Sequence, residues 1–472
     1  MIKKLILKNY KSFKEIDIDF VNPKKVSSNL NLIYGENGSG KSNIISVFSL
    51  LSHLQDTIKS NERFAEVLGK RKDNKQFRRL LSEFPFARMI NITNLMKSES
   101  ISFKGNDEPT EIYIEFLING VVAEYFLKLD EKRGVLEESL FYLIKKNRGY
   151  LFNINKDENE EINVRFSPNT FIDKRLVNIM DNNIDLYWGN HTFLGIVKYE
   201  IENSSKNESY LRNGINSNLL DVIKEIDRLN VDHKGTEIRT VRGSAINKLM
   251  ARDIDKGTIS IEEFDKKEFD ITAQILNYMF TSLYSDIQRV FYIINKDDEE
   301  EIIKYELFFE KQISGELVEI PFSIESAGTQ QLLRLMPMII SLTRGKTVII
   351  DEIDTEIHDL LMKAIIEGIM DIQTGQLIAT THNTMLLQTV DKKNVFVIAM
   401  DSDANKKVIN LGSHDVKIQA NNSLYNKYIE GEFGGIPFID EIDLEYLQQL
   451  VENTEVNSNE WENETMRSNL SW

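Results

Sequence analysis

The opening residues "IKKLILKNYKSFKEIDIDF" alternate apolar and polar side chains, with Ile16, Ile18 and Phe20 on one face. A strand turns successive side chains to opposite faces, so this period of two predicts two short strands around a turn at Lys11-Ser12. The next stretch, "NLNLIYGENGSGKSNIISVFSLLSHL", reads as a buried strand, a glycine-rich loop and a helix. Ile44, Ile45, Phe48, Leu51 and, less regularly, Leu54 give that helix an apolar face. Residues 61–98 keep a helical pattern. Alternation returns over 110–166, where Asn119-Gly120 and Arg133-Gly134 mark tight turns, and this predicts an antiparallel meander. Residues 167–290 are mostly helical in pattern, with amphipathic pieces at "NLLDVIKEIDRL" and "FDITAQILNYMFTSLYSDIQ". Neither sustains the heptads that a long coiled coil needs.

Strands follow at "VFYIIN", "IIKYELFFE" and "LVEIPFSI". A helix then opens at "ESAGTQQLLRL", and Pro337 inside it is expected to kink or shorten it. Buried strands come at "KTVIIDEID", "GQLIATTH" and "NVFVIAM", with the helix "DLLMKAIIEGIM" after the first. This order predicts an α/β core split into residues 1–60 and 318–412, with a meander and helical region inserted over 61–317. Residues 413–451 read as a Gly-rich and helical extension. Residues 452–472, rich in Asn and Glu, read as a disordered acidic tail.

The formal charge of −17 excludes a global positive field that would draw the chain to nucleic acid. The local run Lys70, Arg71, Lys72, Lys75, Arg78 and Arg79 is either a phosphate-binding patch for nucleic acid or a solvated surface. Zero cysteines exclude disulfides and thiolate metal sites. The first ten residues hold too short an apolar run for a signal-peptide core. No run approaches the roughly 18 apolar residues of a membrane helix. The expectation is a soluble, cytoplasmic chain with no membrane partner.

Three stretches carry chemistry. Gly35, Glu36, Asn37, Gly38, Ser39, Gly40, Lys41 and Ser42 form a phosphate-binding loop between strand and helix. Its glycines let the backbone wrap phosphates, Lys41 reaches them, and the Ser42 hydroxyl is placed to ligate Mg²⁺. Asp351 and Glu352 end a four-residue apolar strand, where one carboxylate can hold Mg²⁺ and the next can act as general base. His382 follows another apolar strand and can hydrogen-bond a γ-phosphate or the attacking water. The pair Asp401 and Asp403 reads either as a nuclease-type Asp-x-Asp or as a surface turn, and a turn fits the short chain beyond it better.

The order of loop, Ser-x-Gly helix, "IIDEID" and "TTH" resembles the ABC-type P-loop ATPase heads of the SMC and RecF group. The likeness spans the two core halves. Within that group, "LKNYKSF", "SIESAGTQQLL", "DEIDTEIHDLL" and the late "YIEGEFGGIPFID" resemble the RloA, AbiLi and PARIS-type phage-defence ATPases of bacteria. The resemblance implies an ABC-ATPase head with a mixed sheet, ATP and Mg²⁺ as ligands, and ATP hydrolysis through Glu352 and His382. It implies a homodimer or higher oligomer in which Ser326 and the backbone at Gly328 cap the ATP of a second copy. Ala327 departs from the transporter signature, which has glycine there. It further implies a sensor or regulator of a separate nuclease or toxin effector; the alternative is a RecF-like DNA-repair ATPase. Residues 354–358 correspond to the loop that crosses the dimer interface. A lid glutamine belongs to such heads, and Gln55 and Gln76 are both candidates.

Overall fold

The computed structural model describes residues 1–21, 29–69, 89–103, 108–203, 208–233, 249, 253–297, 301–372, 374–413, 423–436 and 443–451. It divides into two units, residues 1–435 and 436–472. In the second unit the described residues include a short helix over 444–451.

The first unit begins β1 (Ile2–Tyr10), β2 (Phe13–Asp19), β3 (Leu30–Tyr34), α1 (Lys41–Leu54), α2 (Thr57–Gly69) and α3 (Ile92–Ser98). Strands β4 (Thr110–Ile118), β5 (Val121–Asp130), β6 (Gly134–Leu143), β7 (Arg148–Lys156) and β8 (Ile162–Phe166) follow. Helices α4 (Lys174–Tyr187), α5 (Phe193–Asn203), α6 (Glu208–Gly214) and α7 (Ser217–Asp227) lead to β9 (Leu229–Asp232) and β10 (Lys256–Ser260). Next come α8 (Lys266–Leu283), β11 (Ile287–Asp297), β12 (Ile302–Ile313), β13 (Glu316–Pro321) and α9 (Ala327–Thr343). The unit closes with β14 (Thr347–Ile350), α10 (Asp359–Met370), β15 (Gln376–Thr380), β16 (Val395–Met400), β17 (Lys406–Asn410) and α11 (Leu424–Ile429).

These strands form three sheets. The meander is antiparallel in the order β2-β1-β4-β5-β6-β7-β8, so the first hairpin extends it rather than lying in the sheet of β3. Asn119 and Gly120 join β4 to β5 with φ of 51° and 78°, the pair of left-handed residues that a two-residue type I′ turn requires. The second sheet runs β17-β16-β3-β15-β14-β9 and is parallel except at the β17 edge. Its central strands are buried along their length, as expected where both faces are covered. In the third, β12 pairs with β10, β11 and β13.

Helix α1 lies between the first two sheets. Twelve of its 14 residues are buried, polar ones included, so the single apolar face expected from sequence is an all-round contact. One apolar cluster runs from the meander through Ile44 and Phe48 to Ile33, Ile349, Ile378 and Phe396 of the parallel sheet. Gln376 stitches the sheets together: its side chain accepts from Ile2 N at 2.6 Å and donates to Ile2 O at 2.8 Å.

The fold is mixed α/β with an antiparallel meander and a helical region, and among the described residues no long coiled coil occurs. Further details differ from the expectation. Helix α9 runs past Pro337 to Thr343 and is not shortened. Buried Leu333, Met336, Met338 and Leu342 hold the turns on either side, and burial of that kind outweighs one lost backbone hydrogen bond. Strand β9 was hidden, because four residues directly after an amphipathic helix are too few to show a period. Among the described residues no helix is long and apolar enough to cross a membrane.

Candidate functional site

Strands β3, β14 and β15 run parallel and end at the same edge of their sheet. Residues 35–42 leave β3 there and turn into α1. Gly38 and Gly40 adopt φ of 80° and 106°, a region that a Cβ makes costly. Gly40 is also crowded, since an added Cβ lies 2.6 Å from the Phe13 ring. Gly40 is the N-cap of α1 and brings no side-chain cap. No cap side chain therefore competes with an anion for the N–H groups of that first turn, of which Asn43 N donates to Gly40 O at 3.0 Å. Helix α9 differs: Ser326 caps it, accepting from Thr329 N at 3.3 Å and lying 2.8 Å from the Thr329 hydroxyl.

Within the loop, Lys41 Nζ donates to the carbonyls of Gly35 at 2.7 Å and Glu36 at 3.0 Å. Burial pushes its ammonium down, while the carboxylates of Glu352, Asp351, Asp354 and Glu36 act in the opposite sense. Glu36 is half-buried, Asn37 is exposed, and Ser39 is buried with no partner for its hydroxyl. Ser42 Oγ donates to Asp351 Oδ1 at 3.1 Å, and Thr380 Oγ1 donates to the same oxygen at 2.8 Å. Asp351 Oδ2 is buried without a hydrogen-bond partner in the protein. The Thr380 hydroxyl also accepts from Glu352 N at 2.6 Å. Glu352 itself sits at φ 49°, a conformation that costs a non-glycine residue about 1–3 kcal/mol and clusters at functional sites. Thr355 Oγ1 donates to Glu352 Oε2 at 3.2 Å. His382 is exposed just past β15, and its backbone N donates to Asp354 Oδ2 at 3.1 Å.

Hydrogen bonds thus link Ser42, Asp351, Thr380 and Glu352 into one set. Lys41 stands within electrostatic reach of Glu352, Asp351 and Asp354, and Asp354 accepts from His382 N. Among the described residues no hydrogen bond links Ser326 or Gly328 to the loop of residues 35–42. Gly328 has a reason within its own chain: a Cβ there falls 2.4 Å from the Glu356 carbonyl. His358 caps α10, its Nδ1 accepting from Leu360 N at 3.2 Å. Gln55 lies at the far end of α1, about 20 Å from the first turn at 1.5 Å per residue, and is buried there. That distance removes it as a lid glutamine. Gln76, Pro437 and the basic run of residues 70–79 lie outside the described residues. Asp401 organises the turn between β16 and β17, its Oδ1 accepting from the N–H groups of Asp403 and Asn405.

Sequence reasoning missed the Asp232 end of β9. Its carbonyl accepts from Asp351 N at 2.8 Å, and its carboxylate meets Arg334 of α9 at 2.6 Å. Beside it, burial pushes the His233 imidazole down, with the Asp351 carboxylate opposing. The stretch "LNVD", four residues interrupted by Asn230, is too short to announce a strand end as "TVIID" does.

The donor set fits a small hard cation. It offers one hydroxyl and one carboxylate whose second oxygen is unpartnered. Among the described residues no group of three His, Asp or Glu could cage a metal. Mg²⁺ needs no such cage, because it keeps several waters and takes phosphate oxygens.

Fold and site together define a P-loop ATPase domain, its phosphate loop leaving β3 and Asp351 following β14. The family described as "AAA domain, putative AbiEii toxin, Type IV TA system" matches residues 30–388, and the chain belongs to that family. No curated protein matches the sequence. Among solved structures, it is similar to the SMC head bound to the C-winged helix domain of ScpA, at 16% identity and a TM-score of 0.39, covering 86% of this chain and 97% of that one. The SMC head domain from Thermotoga maritima matches at 15% identity and a TM-score of 0.34, covering 87% and 98%. The Smc head with an extended coiled coil, bound to the C-terminal domain of ScpA derived from Pyrococcus furiosus, matches at 14% and 0.37, covering 86% and 95%. At such scores these likenesses add no weight to the family match.

Proposed function

We propose that the chain binds ATP with Mg²⁺ and hydrolyses it, that two copies close head-to-tail over the nucleotide, and that this cycle controls a separate effector in bacterial antiphage defence. The observation that carries the chemistry is Glu352, held at a left-handed φ directly after an Asp351 that is tied to Ser42. Bound Mg²⁺ supplies charge neutralisation at the phosphates, with Ser42 and Asp351 as its protein ligands. Lys41 exchanges the Gly35 and Glu36 carbonyls for phosphate oxygens. A carboxylate oxygen of Glu352 takes the proton of the attacking water, and His382 steadies that water or the γ-phosphate. Ser326 and the N–H groups near Gly328 close the site of the partner copy. The family's description as part of a type IV toxin–antitoxin system supports a role in defence, with a nuclease or toxin as the effector.

The test is Glu352→Gln. Turnover should fall about 100-fold or more, nucleotide binding should persist, and the variant should accumulate as an ATP-dependent dimer in light scattering. Wild-type turnover in the variant sinks the base assignment. Turnover independent of protein concentration sinks the head-to-tail pair.

A further inference from the structure

Lys406 opens β17, opposite Met400 in its ladder, far along the chain from the phosphate loop. Its Nζ nevertheless donates to Gly38 O at 2.9 Å and lies 2.9 Å from Ser12 Oγ as a second acceptor. Ser12 Oγ also accepts from Asn43 Nδ2 in the first turn of α1, at 2.7 Å. The ammonium stands 5.6 Å from the Phe13 ring centroid, within cation–π range, and that ring is the one crowding Gly40. Burial pushes the ammonium down, with Glu36 opposing. One cation therefore gathers the β1–β2 turn, the phosphate loop and the start of β17.

We propose that Lys406 is a positioning residue for the nucleotide, an inference that rests on the ATP-binding reading above. The Gly38–Ser39 peptide is planar, so holding its carbonyl outward also fixes the direction of the Ser39 N–H. That N–H closes the turn onto Glu36 O at 3.2 Å. A glycine at φ 80° has little intrinsic preference for its conformation. The tether supplies that preference and spares the ordering cost when phosphate arrives. Such a contribution acts on ground state and transition state alike, so it shows in affinity rather than in saturated turnover.

The experiment titrates the full chain with Mg²⁺ and a fluorescent N-methylanthraniloyl ATP, and measures turnover in parallel. Lys406→Met is expected to raise Kd about tenfold, as for loss of a charged hydrogen bond, with kcat within about twofold. Lys406→Arg, which keeps charge and donors, is expected to recover most of the affinity. Lys41→Met is the control that abolishes binding. If wild type binds no nucleotide, or Lys41→Met binds as wild type does, the ATP reading falls and this inference with it. If Lys41→Met loses binding and Lys406→Met does not, only Lys406 falls. A drop in kcat at unchanged Kd also overturns it. Should Lys406→Met not fold, Lys406→Gln takes its place under the same criteria.

Discussion

Two buried carboxylates are treated in opposite ways by this fold. Glu138, on β6 of the meander, is fully buried and accepts from Tyr125 Oη, Trp188 Nε1, Phe193 N and Leu194 N at 2.8, 3.0, 2.5 and 3.1 Å. Burial pushes its carboxyl up while these four donors pull the other way. Asp351, at the edge of the parallel sheet, is 7% exposed, and only its Oδ1 is engaged. A saturated carboxylate fastens α5 to the meander. One with a lone oxygen is held open, at a cost the rest of the fold must cover. The meander spends its polar groups on cohesion, and the parallel edge keeps some of them for a ligand.

That contrast can be broken by substitution. Glu138→Leu leaves four donors facing an apolar group, and chemical denaturation should show a loss of about 3–5 kcal/mol. A loss under about 1 kcal/mol would make Glu138 no more structural than Asp351. The same layer buries His191, whose Nδ1 lies 2.8 Å from Thr57 Oγ1. Burial pushes its imidazole down from 6.5 to about 4. The native state therefore binds this proton more weakly than the unfolded chain does. Its contribution is complete above pH 6.5 and is lost as pH falls toward 4, by up to about 3 kcal/mol. His191→Gln should flatten the pH dependence of stability in that window, and an unchanged slope refutes the assignment.

On the site side, Asp351→Asn should leave stability within about 1 kcal/mol of wild type, because an acceptor for Ser42 and Thr380 remains. Mg²⁺-dependent turnover should nonetheless fall about 100-fold. A variant that unfolds but, where folded, still turns over would reverse the contrast. The smallest effect on stability is expected from Glu352→Gly. Glycine relieves the φ of 49°, so the melting midpoint should rise by the equivalent of up to about 1 kcal/mol while turnover is lost. A lowered midpoint would show that Glu352 supports the fold.

Much of the site was legible from sequence because its parts are local. The spacing of Gly35, Gly38, Gly40, Lys41 and Ser42 is meaningful only on a strand–loop–helix, and the flanking apolar runs announce one. Asp351 and Glu352 were readable as the end of a strand with no polar position before them. The meander was readable from alternation and its Asn119-Gly120 turn. Asp232, Arg334, His233 and Lys406 carried no such mark, since nothing in a local window says which strand lies beside which.

The sequence by itself determined the class of fold, the phosphate loop and the carboxylate pair, because periodicity and spacing are properties of neighbouring residues. Only the tertiary structure decided that β9 borders β14, that Gly328 packs on Glu356, and that Lys406 holds Gly38. These follow from strand order and close packing across hundreds of residues. Such contacts are selected by the burial of the whole cluster rather than by any short pattern.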